Sequence, residues 1–307
     1  MNKYKNQIGL VGLNDFGICL LRNLTRNCFS VASYDYKKNN YTNLRNEGFT
    51  CFDSLKEMVD NFFGQIIIFL TGNWNESLEN IFATLLELLP PESIVIDATN
   101  CEYEIIKNNH QKAVQKNISY LDVAFVGTLD DVTWSPNLLV SCNSDIFNYL
   151  KHIFDLLVAD KKIFYFEKLG SSHFLKKIHD GVENSFVQSI LEGLSLIKKS
   201  NYHFDVKKVL DFFNTGSLVE GKTVKFINDG YEKEIKPEGI ENSTYELLSD
   251  QENSLNSIIK NLININHKSP VLSTACFSSL KLKNSLDSFS KNIFINFLKI
   301  KKVVDED

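Results

Sequence analysis

Short apolar runs alternate with longer amphipathic stretches through the first half of the chain. Four runs of strand length come first, at Ile8–Leu13, Phe29–Tyr34, Gln65–Leu70 and Ser93–Asp97. The stretch Asn75–Leu89 has helical spacing and stops at two prolines, which cannot continue a helix. Further strands are predicted at 118–125, 138–142 and 162–166. Because strands that alternate with helices form right-handed crossovers, the pattern predicts a doubly wound parallel sheet.

After Lys168 the spacing becomes helical. The helical stretches are His173–Ser200, Asp205–Asn214, Ser254–Asn264 and a last one from Pro270. This change predicts two domains, an α/β domain at residues 1–168 and an all-α domain at residues 169–307. Within the first, Ser54 followed by Glu57 three residues later predicts a helix start with a capping box.

Composition excludes several classes of protein. The chain has 307 residues, of which 43% are hydrophobic and 23% charged, so it can bury a core. Its net charge of −5 gives no reason to expect a nucleic-acid partner, and no apolar run reaches the roughly 18–20 residues of a membrane span. The six cysteines show no C-x-x-C pair or metal-ligand cluster, and the N-terminal apolar run is too short for a signal peptide. We therefore expect free thiols and a cytoplasmic location.

The first predicted strand leads into a glycine-containing turn and then an apolar helix. A dinucleotide-binding fold carries G-x-G-x-x-G at this place. Gly12 and Gly17 are its first and third glycines, whereas Asn14 replaces the second, and Phe16 precedes the third. These four residues are the candidate cofactor-binding turn, although the Asn14 side chain is expected to crowd a pyrophosphate.

Asp35 ends the second predicted strand, about 20 residues after the glycines, where a carboxylate typically bonds the adenosine ribose. Such a carboxylate repels a 2′-phosphate, so Asp35 favours NAD slightly over NADP as the cofactor. Lys37 and Lys38 follow and could offset that repulsion. An ordinary strand-ending turn is the alternative interpretation, since Asp is a common turn residue.

The segment 170–185, GSSHFLKKIHDGVENS, carries the candidate chemistry. At helical spacing Lys176, Asp180 and Glu183 share one face, with His179 beside them. A neighbouring apolar stripe is expected to pack in a core; it comprises Phe174, Ile178, Val182 and Phe186. A solvated face is the alternative interpretation, because Lys and Glu at this spacing are common.

This order of residues resembles the corresponding helix of the 6-phosphogluconate dehydrogenases, G-A-G-H-F-V-K-M-V-H-N-G-I-E-Y. The matching letters, with identical gaps, are Gly170, His173, Phe174, Lys176, His179, Gly181 and Glu183. Ile94–Tyr103 is similar to the family's I-V-I-D-G-G-N-S-x-Y, and Ile118–Phe125 to the segment before its Ser-Gly-Gly loop. Residues 209–219 and 269–288 are also similar to family segments. The resemblance implies a Rossmann-type dinucleotide-binding domain followed by a helical substrate and dimerisation domain.

The resemblance also implies roles. Lys176 would be the base that takes a proton from the substrate hydroxyl, and Glu183 the acid that acts after decarboxylation. The substrate would be a hydroxy acid of sugar-acid type, held by His179, Asp180 and Asn100, and Asn100 would also contact the nicotinamide. In the family's Ser-Gly-Gly loop, Val126 replaces the serine, while Gly127 and Thr128 remain as substrate-binding candidates.

The departures from the family pattern concern the substrate phosphate. An expected arginine falls on Ser279 and an expected tyrosine on Asn184, and residues 253–259 and 298–302 lack the family letters. A dianion needs Arg or Lys with good geometry, so a related non-phosphorylated acid is a plausible substrate beside 6-phosphogluconate. Later lysines could rebuild the phosphate site, namely Lys281, Lys283, Lys299, Lys301 and Lys302. The alternative is a catalytically degenerate, dehydrogenase-like protein that only binds a dinucleotide. Apolar helices in a small helical domain further predict a homodimer or a higher homo-oligomer.

Overall fold

The computed structural model describes residues 7–232, 255–256, 258–260, 263, 268–280 and 293–299. Two compact units divide between Lys176 and Lys177. The division falls inside one long helix, and the predicted domain boundary at Lys168 lies just before that helix. Five of the eleven residues of the predicted helix Ser254–Asn264 lie outside the described residues. Among the described residues, helices that are both long and apolar enough for a bilayer are absent.

The first unit is built on an eight-stranded sheet. Its strands are β1 (Gln7–Val11), β2 (Ser30–Tyr34), β3 (Thr50–Cys51), β4 (Ile67–Asn73), β5 (Ile94–Asn100), β6 (Ser119–Val126), β7 (Asn137–Ser141) and β8 (Ile163–Phe166). They lie in the order β3-β2-β1-β4-β5-β6-β7-β8. The chain leaves the middle of the sheet in both directions, so the predicted doubly wound α/β fold is confirmed.

One strand pair departs from the predicted parallel sheet. β6 and β7 are antiparallel, with Asp122 opposite Ser141. The connection between them, residues 127–136, is shorter than the dozen or more residues that a parallel crossover usually requires. The chain therefore returns alongside β6, and the parallel direction resumes between β7 and β8.

Helices of the first unit cover the sheet. They are α1 (Asp15–Arg26), α2 (Tyr41–Asn46), α3 (Leu55–Asp60), α4 (Glu76–Leu88), α5 (Tyr103–Gln115), α6 (Leu129–Trp134) and α7 (Ser144–Val158). Side chains of α1 and α7 form one core with strand residues such as Ile8 and Phe69. Side chains of α3, α4 and α5 form a second core with the alternate strand residues, such as Ile68 and Val95. Successive strand residues point to opposite faces, so the sheet is buried on both sides.

Local helix signals agree with the caps in the structure. The Asn75 side chain accepts from the N–H of Leu78 at the start of α4, 2.9 Å away. Ser54 likewise accepts from the N–H of Glu57 at 3.2 Å, so the predicted cap of α3 is confirmed. Each cap satisfies a first-turn donor that has no partner inside its helix.

The second unit is helical where it is described. Its elements are the part of α8 (Ser171–Lys199) from Lys177 onward, α9 (Val206–Phe213), α10 (Lys222–Glu232) and a further helix, Pro270–Leu280. Its core contains Leu191, Leu194, Leu210 and Ile227, together with Phe294.

Candidate active site

The turn between β1 and α1 is too tight for side chains at its glycines. Gly12 has a φ of +101°, and a Cβ atom there would lie 2.3 Å from the carbonyl oxygen of Thr71. A Cβ atom on Gly17 would lie 2.1 Å from the carbonyl oxygen of Gly12. The Thr71 hydroxyl donates to the Gly12 carbonyl at 2.6 Å, which ties the turn to the end of β4. Glycine at these two positions is thus required by the backbone.

Asn14 caps α1 from the position of the missing second glycine. Its φ of −71° and ψ of 176° are extended, so this residue needs no left-handed conformation. Its side-chain oxygen accepts from the N–H of Gly17 at 3.0 Å. One first-turn donor of the helix is therefore already used, and Asp15 adds an acidic group to the same turn. Phe16 packs edge-on against Phe125 with ring centroids 5.2 Å apart, which fixes the turn on β6.

Asp35 is buried directly after β2. Burial raises the pKa of its carboxyl, while backbone hydrogen bonds from Leu13, Lys37 and Lys38 and the charge of Lys37 act in the opposite direction. The bond from Leu13 links this carboxylate to the glycine turn. The Tyr41 hydroxyl accepts from the Asp35 N–H at 2.6 Å and so fixes the backbone of this residue.

Two aspartates without exposed surface lie side by side in β5 and β6, at the fourth residue of each strand. Asp97 and Asp122 are register partners in the sheet. Asp97 accepts from the Thr99 N–H at 2.8 Å, from the Tyr120 hydroxyl and, more weakly, from the Cys101 thiol. Burial raises the pKa of Tyr120 well above its usual value, and the Asp97 charge raises it further. Asp97 thus keeps a protonated partner at any ordinary pH.

Asp122 receives the start of α8. It accepts from the Gly170 N–H at 2.6 Å, from the Ser172 hydroxyl, and from both the backbone N–H (3.3 Å) and ring Nδ1 (3.2 Å) of His173. The N–H of Ser172 donates to Ser141 Oγ at 2.7 Å. These bonds use the first-turn donors that a helix leaves open. A Cβ atom on Gly170 would also lie 2.3 Å from the Tyr103 ring, so α8 starts in a closely packed position.

The remaining predicted residues of this helix follow on its next turns. Lys176 is half-buried, and Glu183, seven residues later and also half-buried, shares its face by helical geometry. Asp180 lies between them, and its Oδ1 is 3.3 Å from Nδ1 of the exposed His179. Asn100, the exposed last residue of β5, follows Thr99, whose carbonyl is 2.7 Å from His173 Nε2. The structure therefore links Asn100 to the helix start one turn before Lys176.

Thr128 has a structural role that the sequence pattern did not reveal. Its hydroxyl is bonded to Asp131 Oδ2 at 2.8 Å and accepts from the Asp131 N–H at 3.1 Å, which forms a capping box at the start of α6. Gly127 precedes it with a φ of +145°, and a Cβ atom there would lie 2.6 Å from that of Asp131. A substrate hydrogen bond from Thr128 would therefore compete with the cap.

The apolar stripe predicted for α8 is wrong in part. Phe174 and Val182 are 39% and 58% exposed in the chain, and Ile178 and Phe186 are only partly buried. The buried positions of the helix include polar ones, namely Ser172, His173, Lys177, Asn184 and Gln188. The physical reason is visible at the helix start, where the facing strand ends offer carboxylates and a hydroxyl. In the sequence, this cluster is indicated only by the similarity to the family in the segments that contain Asp97, Asp122 and His173.

The fold and the turn define a class of protein. A doubly wound sheet with Gly12 and Gly17 in its first turn, and an acidic residue after the second strand, is a Rossmann-type dinucleotide-binding domain. The family model described as the NAD binding domain of 6-phosphogluconate dehydrogenase matches residues 7–166, over half of the chain. The chain belongs to this family, which confirms the resemblance found in the sequence.

Named relatives are distant. The relative named "Putative 6-phosphogluconate dehydrogenase YqeC" of Bacillus subtilis (strain 168) is 23% identical over 230 residues, 75% of this chain and 77% of that protein. The NAD(+)-dependent, decarboxylating 6-phosphogluconate dehydrogenase of the same organism is 22% identical over 71% of this chain. That alignment spans only 48% of the enzyme's own length. Among solved structures, 3-hydroxyisobutyrate dehydrogenase of Mycobacterium tuberculosis aligns with a TM-score of 0.73 at 16% identity, covering 95% of this chain and 99% of that one. At this identity the structural likeness shows the fold alone.

The residues present fit a nicotinamide dinucleotide. The tight turn of Gly12 and Gly17 leads directly into the N-terminus of α1, which is the candidate phosphate cradle because helix N-termini attract phosphate. Asp35 stands at the usual position of the ribose partner. Asn14 uses one donor of this cradle, so the cradle has fewer free donors than one with glycine there.

Proposed function

We propose that this chain is an oxidoreductase that transfers a hydride from a hydroxy acid of sugar-acid type to NAD or NADP. The observation that carries the proposal is the placement of Lys176 and Glu183 on one face of α8, whose start is bonded to the strand ends next to Asn100. The names of the 6-phosphogluconate dehydrogenases among its relatives support the substrate class. Asp35 supports NAD as the preferred cofactor.

In the proposed chemistry, two residues transfer protons and three residues bind the substrate. A bound nicotinamide dinucleotide, held by the Gly12–Gly17 turn and Asp35, would supply the hydride acceptor. Lys176 takes the hydroxyl proton as the carbonyl forms. Asn100, His179 and Asp180 hold the acid. If the hydroxyl is β to the carboxylate, the keto acid loses carbon dioxide, and Glu183 donates the proton that completes the product.

A panel assay tests this function. Purified protein is incubated with NAD or NADP and with phosphorylated and non-phosphorylated sugar acids and 3-hydroxy acids, and reduced nicotinamide is followed by absorbance. We expect turnover of a non-phosphorylated acid, and a fall of about 10²–10⁴-fold in Lys176→Met, because general base catalysis contributes that much. Lys199→Met, in the last turn of the same helix, is the matched control and keeps the rate. A Lys176→Met rate equal to that of the control would refute the assignment.

A dinucleotide-binding protein without turnover is the second candidate. The capping role of Thr128 and the replacement of the family's serine by Val126 favour it, because both weaken contacts to the substrate and leave the cofactor turn intact. Calorimetric titration with NAD and NADP separates the two functions. Binding of NAD without turnover of any acid supports this second function, whereas binding with turnover supports the first.

The homo-oligomer remains a prediction. Exposed apolar side chains of the second unit support it, among them Val182 at 58%, Leu196 at 73% and Phe212 at 66% exposure. Light scattering tests it, and the mass of a single chain would contradict it.

A further inference from the structure

His173 is buried between two carboxylates and a carbonyl. Its Nδ1 lies 3.2 Å from Asp122 Oδ2, and its Nε2 lies 2.7 Å from the Thr99 carbonyl oxygen and 4.0 Å from Asp97 Oδ1. The side chains of His173 and both aspartates are at most 4% exposed. Tyr120 approaches the same cluster through its bond to Asp97.

The contacts favour a hydrogen on each ring nitrogen. A neutral imidazole has one N–H donor, whereas an imidazolium has two. The Thr99 carbonyl can only accept, and Asp122 also receives the N–H groups of Gly170 and His173, so it acts as an acceptor too. Burial alone lowers the pKa of His173, but the hydrogen bond to Asp122, the two carboxylate charges and the Thr99 carbonyl together raise it above the ordinary value. The geometry and the electrostatics both favour the imidazolium.

The two ring nitrogens join two different pieces of backbone. Nδ1 holds Asp122, which also caps the first turn of α8 through Gly170 and Ser172. Nε2 lies 2.7 Å from the carbonyl oxygen of Thr99, the residue before Asn100. Lys176 follows His173 by three residues, or about one helical turn. A shift of the helix start along or around its axis would move Lys176, and these bonds oppose such a shift.

We propose that His173 is a positioning residue whose doubly protonated ring sets the distance between Lys176 and Asn100. The inference rests on the proposed function, in which these two groups serve the same substrate. His173 itself has no contact with substrate in this scheme and acts through Thr99 and Asp122. A purely structural histidine would contribute stability without any effect on the chemical step.

Two substitutions separate the two bonds. In His173→Asn the amide nitrogen can stand near the position of Nδ1, which keeps the bond to Asp122 and loses the bond to Thr99. In His173→Gln the amide nitrogen can reach the position of Nε2 and keeps the bond to Thr99. The matched control is His152→Gln, an exposed histidine on α7.

Kinetics of the hydroxy-acid oxidation give the first readout. We expect kcat to fall about 100-fold in His173→Asn, because displacement of a catalytic group by about 1 Å costs that much. His173→Gln should recover part of that loss, and the KM for the dinucleotide should stay unchanged in both. Wild-type kcat in both variants, or losses that only parallel the loss of folded protein in circular dichroism, would overturn the proposal.

Two readouts do not need turnover, so they judge the inference even if the proposed function fails. In ¹⁵N spectra of histidine-labelled full-length protein, assigned by comparison with His173→Asn, the His173 ring should show two N–H groups at pH 7. Acylation of Lys176 by an activated ester, followed by mass spectrometry relative to Lys199, should change several-fold in His173→Asn. A neutral His173 ring at pH 7, or an unchanged Lys176 labelling ratio, would overturn the positioning role.

Discussion

Gly12→Ala is the most direct test of the turn that defines the candidate cofactor site. The substitution adds one methyl group where a Cβ atom would lie 2.3 Å from the Thr71 carbonyl oxygen and 2.9 Å from its hydroxyl oxygen. The backbone oxygen cannot rotate away as a side chain can. A non-glycine residue in a disfavoured conformation costs about 1–3 kcal/mol, and overpacking of a close contact adds about 1–3 kcal/mol.

The sum predicts that Gly12→Ala lowers the free energy of unfolding by roughly 2–6 kcal/mol, out of a typical total of about 5–15 kcal/mol. Gly48→Ala separates the two contributions. Gly48 has a similar φ of +90°, but nothing lies within 4 Å of its Cβ position. It should therefore carry only the conformational cost of about 1–3 kcal/mol.

Urea unfolding followed by tryptophan fluorescence measures both variants. Trp74 and Trp134 are the two tryptophans of the chain, and both lie in the first unit, as do both glycines. NAD titration of the folded fraction of Gly12→Ala should also show weaker binding, whereas Gly48→Ala should bind as the wild type does. If Gly12→Ala costs no more than Gly48→Ala, the glycine turn does not lie against β4 as described, and the cofactor cradle is refuted with it.

Three further perturbations test the interior of the first unit by urea unfolding. Tyr120→Phe removes the hydroxyl that bonds the buried Asp97 and should lower the free energy of unfolding by about 1.5–3 kcal/mol. The control Tyr149→Phe, at a half-exposed position on α7, should lower it by less than about 0.5 kcal/mol. Equal losses in the two variants would contradict the buried bond. Asn23→Ala should lower the free energy of unfolding by at least about 2 kcal/mol, since the Asn23 amide donates to the Val132 and Leu157 carbonyls at 2.7 and 3.1 Å. A smaller loss would show that these carbonyls find other donors. Burial raises the pKa of Tyr41 to about 12, so its contribution to stability is complete below the unfolded-state pKa of about 10 and is lost as pH rises through 12. The unfolding free energy should thus fall more steeply between pH 10 and 12 in the wild type than in Tyr41→Phe, and parallel curves would exclude this linkage.

The sequence predicted the parts of the fold that depend on neighbours along the chain. Strand runs, the Ser54 cap and the two required glycines follow from period, side-chain chemistry and backbone freedom within a few residues. The direction of β7 did not follow, because it depends on the short connection 127–136, which no apolar pattern marks. The cap formed by Thr128 was not predicted either, because the family resemblance implies a substrate contact at this residue.

The buried face of α8 shows why a hydrophobic pattern alone could not describe the candidate site. Apolar periodicity predicts the buried side of a helix when its neighbours are apolar. Here the neighbours of its first turn include Asp97 and Asp122, so that turn buries the partners of carboxylates and leaves Phe174 exposed in the chain. Burying two carboxylates costs several kcal/mol each unless hydrogen bonds compensate. A fully apolar packing of the same strand ends would avoid that cost, but it would hold α8 by non-directional contacts. Since cores lose uniqueness of structure before they lose stability, directional bonds to His173 and Ser172 are the better means of fixing Lys176 in one place. The energetic cost at this strand end is therefore itself an argument that the position of α8 matters to function.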